Sequence, residues 1–332
     1  MNREDLLVER TARAILSRAG GTLQLGIGDD AAILRPRRGM DWVLTCDAFL
    51  EGIHFLANAH PADSVGYKSL ARATSDLAAM GAIPRLFLLT LAIPPSRTGA
   101  WLDGFLRGMA RAARELGLRL AGGDTTRGPK VFASVTVLGE IAPGKAIRRT
   151  GARRGDLLYA SGALGRAQLG LELVRRGMGR DRRLRELLQP LFYPKIQTEL
   201  GTWLAGRGIP SAMMDISDGL STDLARLCLA SQVGAQIDAR RLPCVKISER
   251  IARLLPPSAR DPRRLALHGG DDYALLFTLP RKKEKLLRSA PGFLNFARIG
   301  EITRGRRIVL VHESGRAEIL RPLGWDPFRQ SS

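Results

Sequence analysis

The chain has 332 residues, a length that predicts two domains of ~100–200 residues each, and its 45% hydrophobic share excludes a disordered or fibrous protein. Lysine and arginine total 52 against 32 acids, giving a formal charge of +20. With only 5% aromatic residues there is little material for base stacking, so the charge reads as a solvated arginine-rich surface rather than a nucleic-acid or membrane partner.

Residues 4–19 show helical periodicity, with Leu6, Leu7, Ala14 and Ile15 on one face. No signal-peptide core is seen at this end, and no apolar run approaches the ~20 residues that span a bilayer, so a cytoplasmic protein is expected. Residues 43–45 predict a short strand. Residues 61–80 read as a helix, with Pro61 suited to its first turn and Gly81 with Pro84 closing it. A buried strand over 86–93, a helix over 101–116 stopped by Gly117, and a β-rich stretch over 131–141 follow.

Residues 142–150 are polar and aperiodic, and they mark the expected boundary between an N-terminal domain (1–141) and a C-terminal one (151–327). Beyond it the pattern predicts a strand at 157–160 and a helix at 164–176. An exposed connection among arginines follows at 177–182, then helices at 195–205 and 220–230 and a strand at 273–279. Residues 308–311 and 317–320 read as a hairpin around Glu313-Ser314-Gly315. The fold class is α/β of the α+β type, in two domains.

The acids are less evenly placed than the bases. Of 19 aspartates, nine lie in six short clusters: Gly28-Asp29-Asp30, Thr45-Cys46-Asp47, Ser75-Asp76, Gly122-Gly123-Asp124, Asp215-Ile216-Ser217-Asp218-Gly219 and Gly269-Gly270-Asp271-Asp272. One such cluster is an ordinary turn, but six in one chain call for another reason. Two carboxylates at ~4 Å repel by roughly 4 kcal/mol at an effective dielectric of 20, so converging aspartates require raised pKa values or divalent cations. Oxygen donors from Asp, Thr45 and Ser217 suit Mg²⁺. Zinc does not fit, because the four histidines form no ligand pattern and Cys46, Cys228 and Cys244 are odd in number and far apart.

Magnesium without nucleophile machinery points to phosphoryl transfer. There is no GxxxxGK[ST] loop and no GxSxG elbow. Gly26-Ile27-Gly28-Asp29-Asp30-Ala31 would set two carboxylates where a dinucleotide's pyrophosphate belongs. Gly162-Ala163-Leu164-Gly165 is a weak anion-binding turn.

The six clusters, taken in order with Leu50-Glu51-Gly52-Ile53-His54, Leu77-Ala78-Ala79-Met80-Gly81 and Tyr273-Ala274-Leu275-Leu276, resemble the thiamine-monophosphate kinases of the aminoimidazole ribonucleotide synthetase superfamily. The resemblance runs from about residue 25 to Trp325. It implies an N-terminal α/β domain whose sheet pairs with that of a second subunit, hence a homodimer, and a C-terminal α/β domain beside it. It also implies ATP-dependent phosphorylation of thiamine monophosphate to thiamine diphosphate, the last step in making that cofactor, with several Mg²⁺ ions. By motif position Asp29, Asp30, Thr45, Cys46, Asp47, Asp76, Asp124, Asp215 and Asp218 would form the metal shell. Gly123, Asp124, Arg149 and Ser217 would meet ATP, and His54, Asp271 and Trp325 the thiamine side. Two departures stand out: Cys46 replaces a hydroxyl residue common in the family, and Asp271 replaces the usual glutamate.

A phosphate monoester has a second pKa near ~6, so the acceptor is already a nucleophile at neutral pH. No catalytic acid or base is therefore expected, and transfer should be direct and in line. The rivals are other ATP-using members of the superfamily and a basic nucleic-acid-binding protein. A hydrogenase-maturation dehydratase would want a C-terminal cysteine, and a selenophosphate synthetase a reactive Cys ahead of Cys46. Nucleic-acid binding leaves the aspartates unexplained.

Overall fold

A computed structural model describes residues 3–15, 21–25 and 32–328. The chain divides into two compact units, Met1–Leu77 with Ala82–Gly144, and Ala78–Gly81 with Lys145–Ser332. Among the described residues no helix is long and apolar enough to cross a membrane.

The first unit runs α1 (Arg3–Ile15), β1 (Leu23–Leu25), β2 (Ile33–Leu34), β3 (Asp41–Leu50), α2 (Ala62–Met80), β4 (Ile83–Ile93), α3 (Ala100–Leu116), β5 (Arg119–Arg127) and β6 (Phe132–Ile141). Four strands form one sheet in the order β3-β6-β4-β5, antiparallel except for the parallel pair β4 and β5, which α3 connects. Helices α2 and α3 pack closely because glycines meet backbone: a Cβ on Gly66 would lie 1.8 Å from the Phe105 carbonyl oxygen, and one on Gly108 1.7 Å from that of Asp63. Phe49, Leu70, Phe87, Leu91, Leu102 and Phe105 fill the core below them. Gly117, left-handed at φ 69°, ends α3 as its sequence predicts.

Several elements differ from the sequence expectation. Strand β3 spans ten residues rather than three, and β4 begins at Ile83, taking Pro84 into its first residues, where a missing donor costs little. Strand β5 carries Gly122-Gly123-Asp124 within it rather than in a turn. Gly123 is there because a Cβ would stand 1.9 Å from the Leu89 carbonyl oxygen on β4.

The second unit contains β7 (Leu157–Ser161), α4 (Arg166–Arg175), α5 (Arg185–Phe192), α6 (Thr198–Gly206), β8 (Ala212–Ile216), α7 (Leu220–Ser231), β9 (Gly234–Asp238), α8 (Glu249–Leu254), α9 (Pro262–His268), β10 (Ala274–Leu279), β11 (Phe296–Thr303), β12 (Ile308–Val311) and β13 (Ala317–Ile319). Its seven strands lie in the order β13-β12-β9-β11-β7-β10-β8, with only β12 and β9 parallel. Leu158, Met214, Ile216, Leu276 and Ile237 face Leu220, Leu224 and Leu227 of α7 to make this core. The predicted hairpin is β12 and β13. Helices α5, α8 and α9 and strands β8, β9 and β11 are additions to the sequence reading.

Candidate functional site

In the first unit the cluster at 45–47 and the helix behind it meet in register. Thr45 and Asp47 lie two residues apart on β3 and so point to one face, while Arg72 and Asp76 lie one turn apart on α2. Thr45 Oγ1 donates to Asp76 Oδ2 at 2.5 Å, and Arg72 Nε to Asp47 Oδ2 at 3.1 Å. The Arg72 guanidinium also sits 5.5 Å from the Phe49 ring centre. Three predicted metal residues thus share one face, and a cation absent from the sequence reading, Arg72, neutralises one of them. Its signal is visible in retrospect, four residues before Asp76 on the same helical stripe.

His54 is half-buried, and its Nδ1 accepts from the Leu50 N–H at 3.0 Å, which leaves the proton of the neutral ring on Nε2. Asp29 and Asp30 lie outside the described residues.

Cys46 and Asp124 point the other way. The Cys46 thiol is exposed and lies 3.3 Å from Ser134 Oγ. Asp124 pairs with Thr90, which pairs with Ser134, so both side chains occupy the sheet face opposite Asp47. With β6 and β4 between, β3 and β5 are three strand spacings apart, about 14 Å. Gly123 and Asp124 are exposed. Within one sheet, Asp124 and Asp47 are therefore not neighbours. Among the described residues no three His, Cys, Asp or Glu side chains stand together as a preformed metal cage.

In the second unit the loop after β8 gathers the remaining candidates. Asp215 is 7% exposed on β8, paired with Leu275. The next residues form a hub. The N–H groups of Ser217 and Asp218 both donate to Asp223 Oδ2, at 3.1 and 2.9 Å. The Ser217 carbonyl accepts from the Asp271 N–H and the Asp218 carbonyl from the Trp325 N–H, each at 2.8 Å. Arg226 Nη1 bridges Asp218 Oδ2 at 2.5 Å and Asp223 Oδ1 at 2.8 Å. Burial, then the neighbouring Asp218 charge, push the Asp223 carboxyl up to about 6. The sequence reading passed over Asp223, because an acid in the first turn of a helix is an ordinary surface choice.

The loop Gly269-Gly270-Asp271-Asp272 packs against this hub. A Cβ on Gly270 would stand 2.7 Å from the Ser217 carbonyl oxygen. Asp271 takes a left-handed φ of 67°, and its Oδ1 accepts from the Tyr273 hydroxyl at 2.7 Å. Asp272 turns inward and caps α4. Burial raises its carboxyl to about 7 against the pull of the backbone N–H groups at the start of α4. Arg149 is exposed, and its carbonyl accepts from Ser231 Oγ at 3.0 Å. Ser217, Asp218, Asp271 and Trp325 are thus brought together, on one unit, by backbone hydrogen bonds.

Comparison with known proteins places this arrangement. Residues 28–141 match the family model of the AIR synthase related protein N-terminal domain, and residues 153–313 that of the C-terminal domain. The class is that of AIR synthase related proteins. Thiamine-monophosphate kinase of Synechococcus elongatus is 36% identical over 300 residues, covering 88% of each chain, and that of Escherichia coli is 34% identical over 310 residues, covering 92% of each. The chain belongs to the thiamine-monophosphate kinase family. A crystal structure of thiamine-monophosphate kinase from Stenotrophomonas maltophilia superposes with a TM-score of 0.79 at 36% identity, covering 94% of this chain and 96% of the other. A structure of AaThiL complexed with AMPPCP and TMP gives 0.75 at 28% identity, with 96% and 95% covered.

Proposed function

We propose that this protein transfers the γ-phosphoryl group of ATP to the phosphate of thiamine monophosphate, giving thiamine diphosphate and ADP. The observation that carries the reading is the chain-long match to thiamine-monophosphate kinases, together with a hub that draws Ser217, Asp218, Asp271 and Trp325 into one place. The AaThiL complex, with a nucleotide analogue and TMP, supports the substrate pair.

The donor set fits magnesium. It is carboxylate, hydroxyl and carbonyl oxygen, as a hard cation prefers, and Asp215 within it is only 7% exposed. On the first unit Thr45, Asp47 and Asp76 would hold an ion on the face toward α2, with Asp29 and Asp30 belonging to the same shell; Asp124, on the opposite face, and the carbonyl of Cys46 would serve separately; on the second unit Asp215 and Asp218 would hold it. Bound there, Mg²⁺ would offset the negative charge of the phosphates. The chain's own groups supply the rest. Gly123 offers backbone, Arg149 a cation and Ser217 a hydroxyl toward ATP. His54 offers an Nε2 proton, Asp271 a carboxylate for the cationic substrate, and Trp325 an aromatic face for its rings. The acceptor phosphate needs no general base, so positioning and charge carry the rate.

The pairing of two sheets into a homodimer belongs to the same reading. The face that bears Cys46 and Asp124 exposes Leu44 by 61% and Leu88 by 38%, large apolar residues that a second copy would cover. Asp124 would then serve beside residues of that copy rather than beside Asp47 of its own sheet. A cytoplasmic location goes with these soluble substrates. The test is purified protein with ATP, Mg²⁺ and thiamine monophosphate: thiamine diphosphate and ADP should form in equal amounts, and their absence refutes the reading.

A further inference from the structure

The last contact of the hub carries a steric requirement. Residues 321–328 pass the start of α7 without regular secondary structure. Three successive amides are fixed there: Leu323 N–H donates to Ser221 Oγ at 3.3 Å, Gly324 N–H to Thr222 Oγ1 at 3.0 Å, and Trp325 N–H to the Asp218 carbonyl at 2.8 Å. Ser221 is fully buried and is held in turn, its hydroxyl 2.9 Å from His268 Nδ1. Burial, then the charge of Arg264, lower the His268 pKa, which favours the neutral ring in this contact.

Gly324 is buried between these groups. A Cβ there would stand 2.0 Å from the Asp218 carbonyl oxygen and 2.7 Å from Thr222 Oγ1. The nearest atom is backbone, so any side chain at 324 lifts the segment away from Asp218. The Trp325 side of this clamp is held lightly, since the residue remains 42% exposed. Its backbone is fixed by the Asp218 carbonyl.

We propose that Gly324 and Thr222 are positioning residues for the thiamine end of the site, locking Trp325 onto Asp218 so that affinity for the substrate's ring system is set through the nucleotide-side loop. This rests on the kinase reading above. A displacement of about 1 Å at such a clamp is enough to degrade substrate placement. The predicted loss falls on one substrate, because three of the ATP residues, Gly123, Asp124 and Arg149, lie off the clamp, and the fourth, Ser217, is held by Asp223 and by the Asp271 N–H rather than by residues 323–325.

The test is steady-state kinetics on the full chain with Gly324→Ala, Thr222→Val and Thr222→Ser. In Gly324→Ala and Thr222→Val the KM for thiamine monophosphate should rise about tenfold, the effect of one disrupted or unsatisfied buried donor, while the KM for ATP stays within about twofold. Thr222→Ser keeps the acceptor and should behave as the wild type. Thr222→Val has nearly the same volume and carries the test if Gly324→Ala fails to fold. An unchanged KM for thiamine monophosphate, or an equal rise for both substrates, overturns the clamp. A wild-type protein that makes no thiamine diphosphate overturns the kinase reading and the clamp with it, an outcome distinct from active wild type with unaffected variants.

Discussion

Asp272 reaches across 107 positions to Gly165, accepting its backbone N–H at 2.5 Å, and a second oxygen takes the Ala167 N–H at 3.1 Å. The amides at the Gly162-Ala163-Leu164-Gly165 turn and the start of α4 are thus met by one of the chain's own carboxyls. Of the two adjacent aspartates, Asp272 is therefore committed to the first turn of α4, while Asp271 sits in the hub with the Tyr273 hydroxyl on its Oδ1.

That contact sets a pH dependence. The Asp272 carboxyl, ordinarily near 3.8, titrates at about 7 in the fold because it is buried. The folded chain holds this proton better than the unfolded chain does. Its contribution to stability is complete below about 4 and is lost as pH rises through about 7. Asp272→Asn should flatten this slope: between pH 5 and pH 8 its melting temperature should fall less than that of the wild type. Parallel falls in both proteins would show that another group is responsible. Asp272→Ala leaves buried donors unpaired and should cost about 1–3 kcal/mol at any pH.

Asp47 faces α2 and pairs with Arg72, both partly buried, at 29% and 17% exposure. Asp47→Asn keeps an acceptor for Arg72 but loses the charge that a cation would need. The expected result is a fall in kcat/KM of about 100-fold with little change in melting temperature, the size of effect seen when a metal site loses an essential partner. Wild-type turnover in this variant would remove Asp47 from the metal shell. Asp215→Asn, on the second unit, should behave in the same way.

Much of the fold was legible in the residues, for identifiable reasons. Helices α2 and α3 were readable because their apolar spacing is clean and Gly81 and Gly117 stop them. Strand β5 was not, since Gly122-Gly123-Asp124 has the composition of a turn, and only the Leu89 carbonyl on a neighbouring strand explains why glycine sits inside it. Helix α5 hid behind the arginines at 182–185, which look like solvated coil. The site was legible through its aspartates and illegible in what holds them. Arg72, Asp223 and Gly324 carry no motif, and each matters through a partner distant in sequence or a backbone approach. The sequence also could not assign sheet faces, and so grouped Asp124 with Asp47 although the sheet separates them.

The exposed face of the first sheet gives a test of assembly. Leu44 stands opposite Leu138 in the β3–β6 ladder, away from α2. Leu44→Glu sets a charge on that face without touching the core below it. Sedimentation velocity should find the wild type as a dimer and Leu44→Glu shifted to monomer, with its circular dichroism unchanged. A wild type that is monomeric at micromolar concentration would end the pairing proposal, and a dimeric variant would move the interface elsewhere.

The stereochemistry of transfer follows from what the site lacks and what it has. The candidate residues are carboxylates, hydroxyls, Arg149, His54, Trp325 and Cys46, whose thiol lies beside Ser134 on the face opposite Asp47. His54 Nδ1 already accepts the Leu50 N–H, so that nitrogen's lone pair is engaged rather than free to attack phosphorus. An aspartyl phosphate is the other covalent route, but Asp47, Asp76 and Asp218 are each engaged by a hydrogen-bond or ion-pair partner that such an intermediate would displace. The acceptor phosphate is itself a competent nucleophile. One displacement is then sufficient. With ATP made chiral at the γ-phosphorus by oxygen isotopes and sulfur, the β-phosphoryl of the product should show inverted configuration. Retention would require two displacements and a phosphoenzyme, and a trapped phosphorylated residue would identify which side chain forms it.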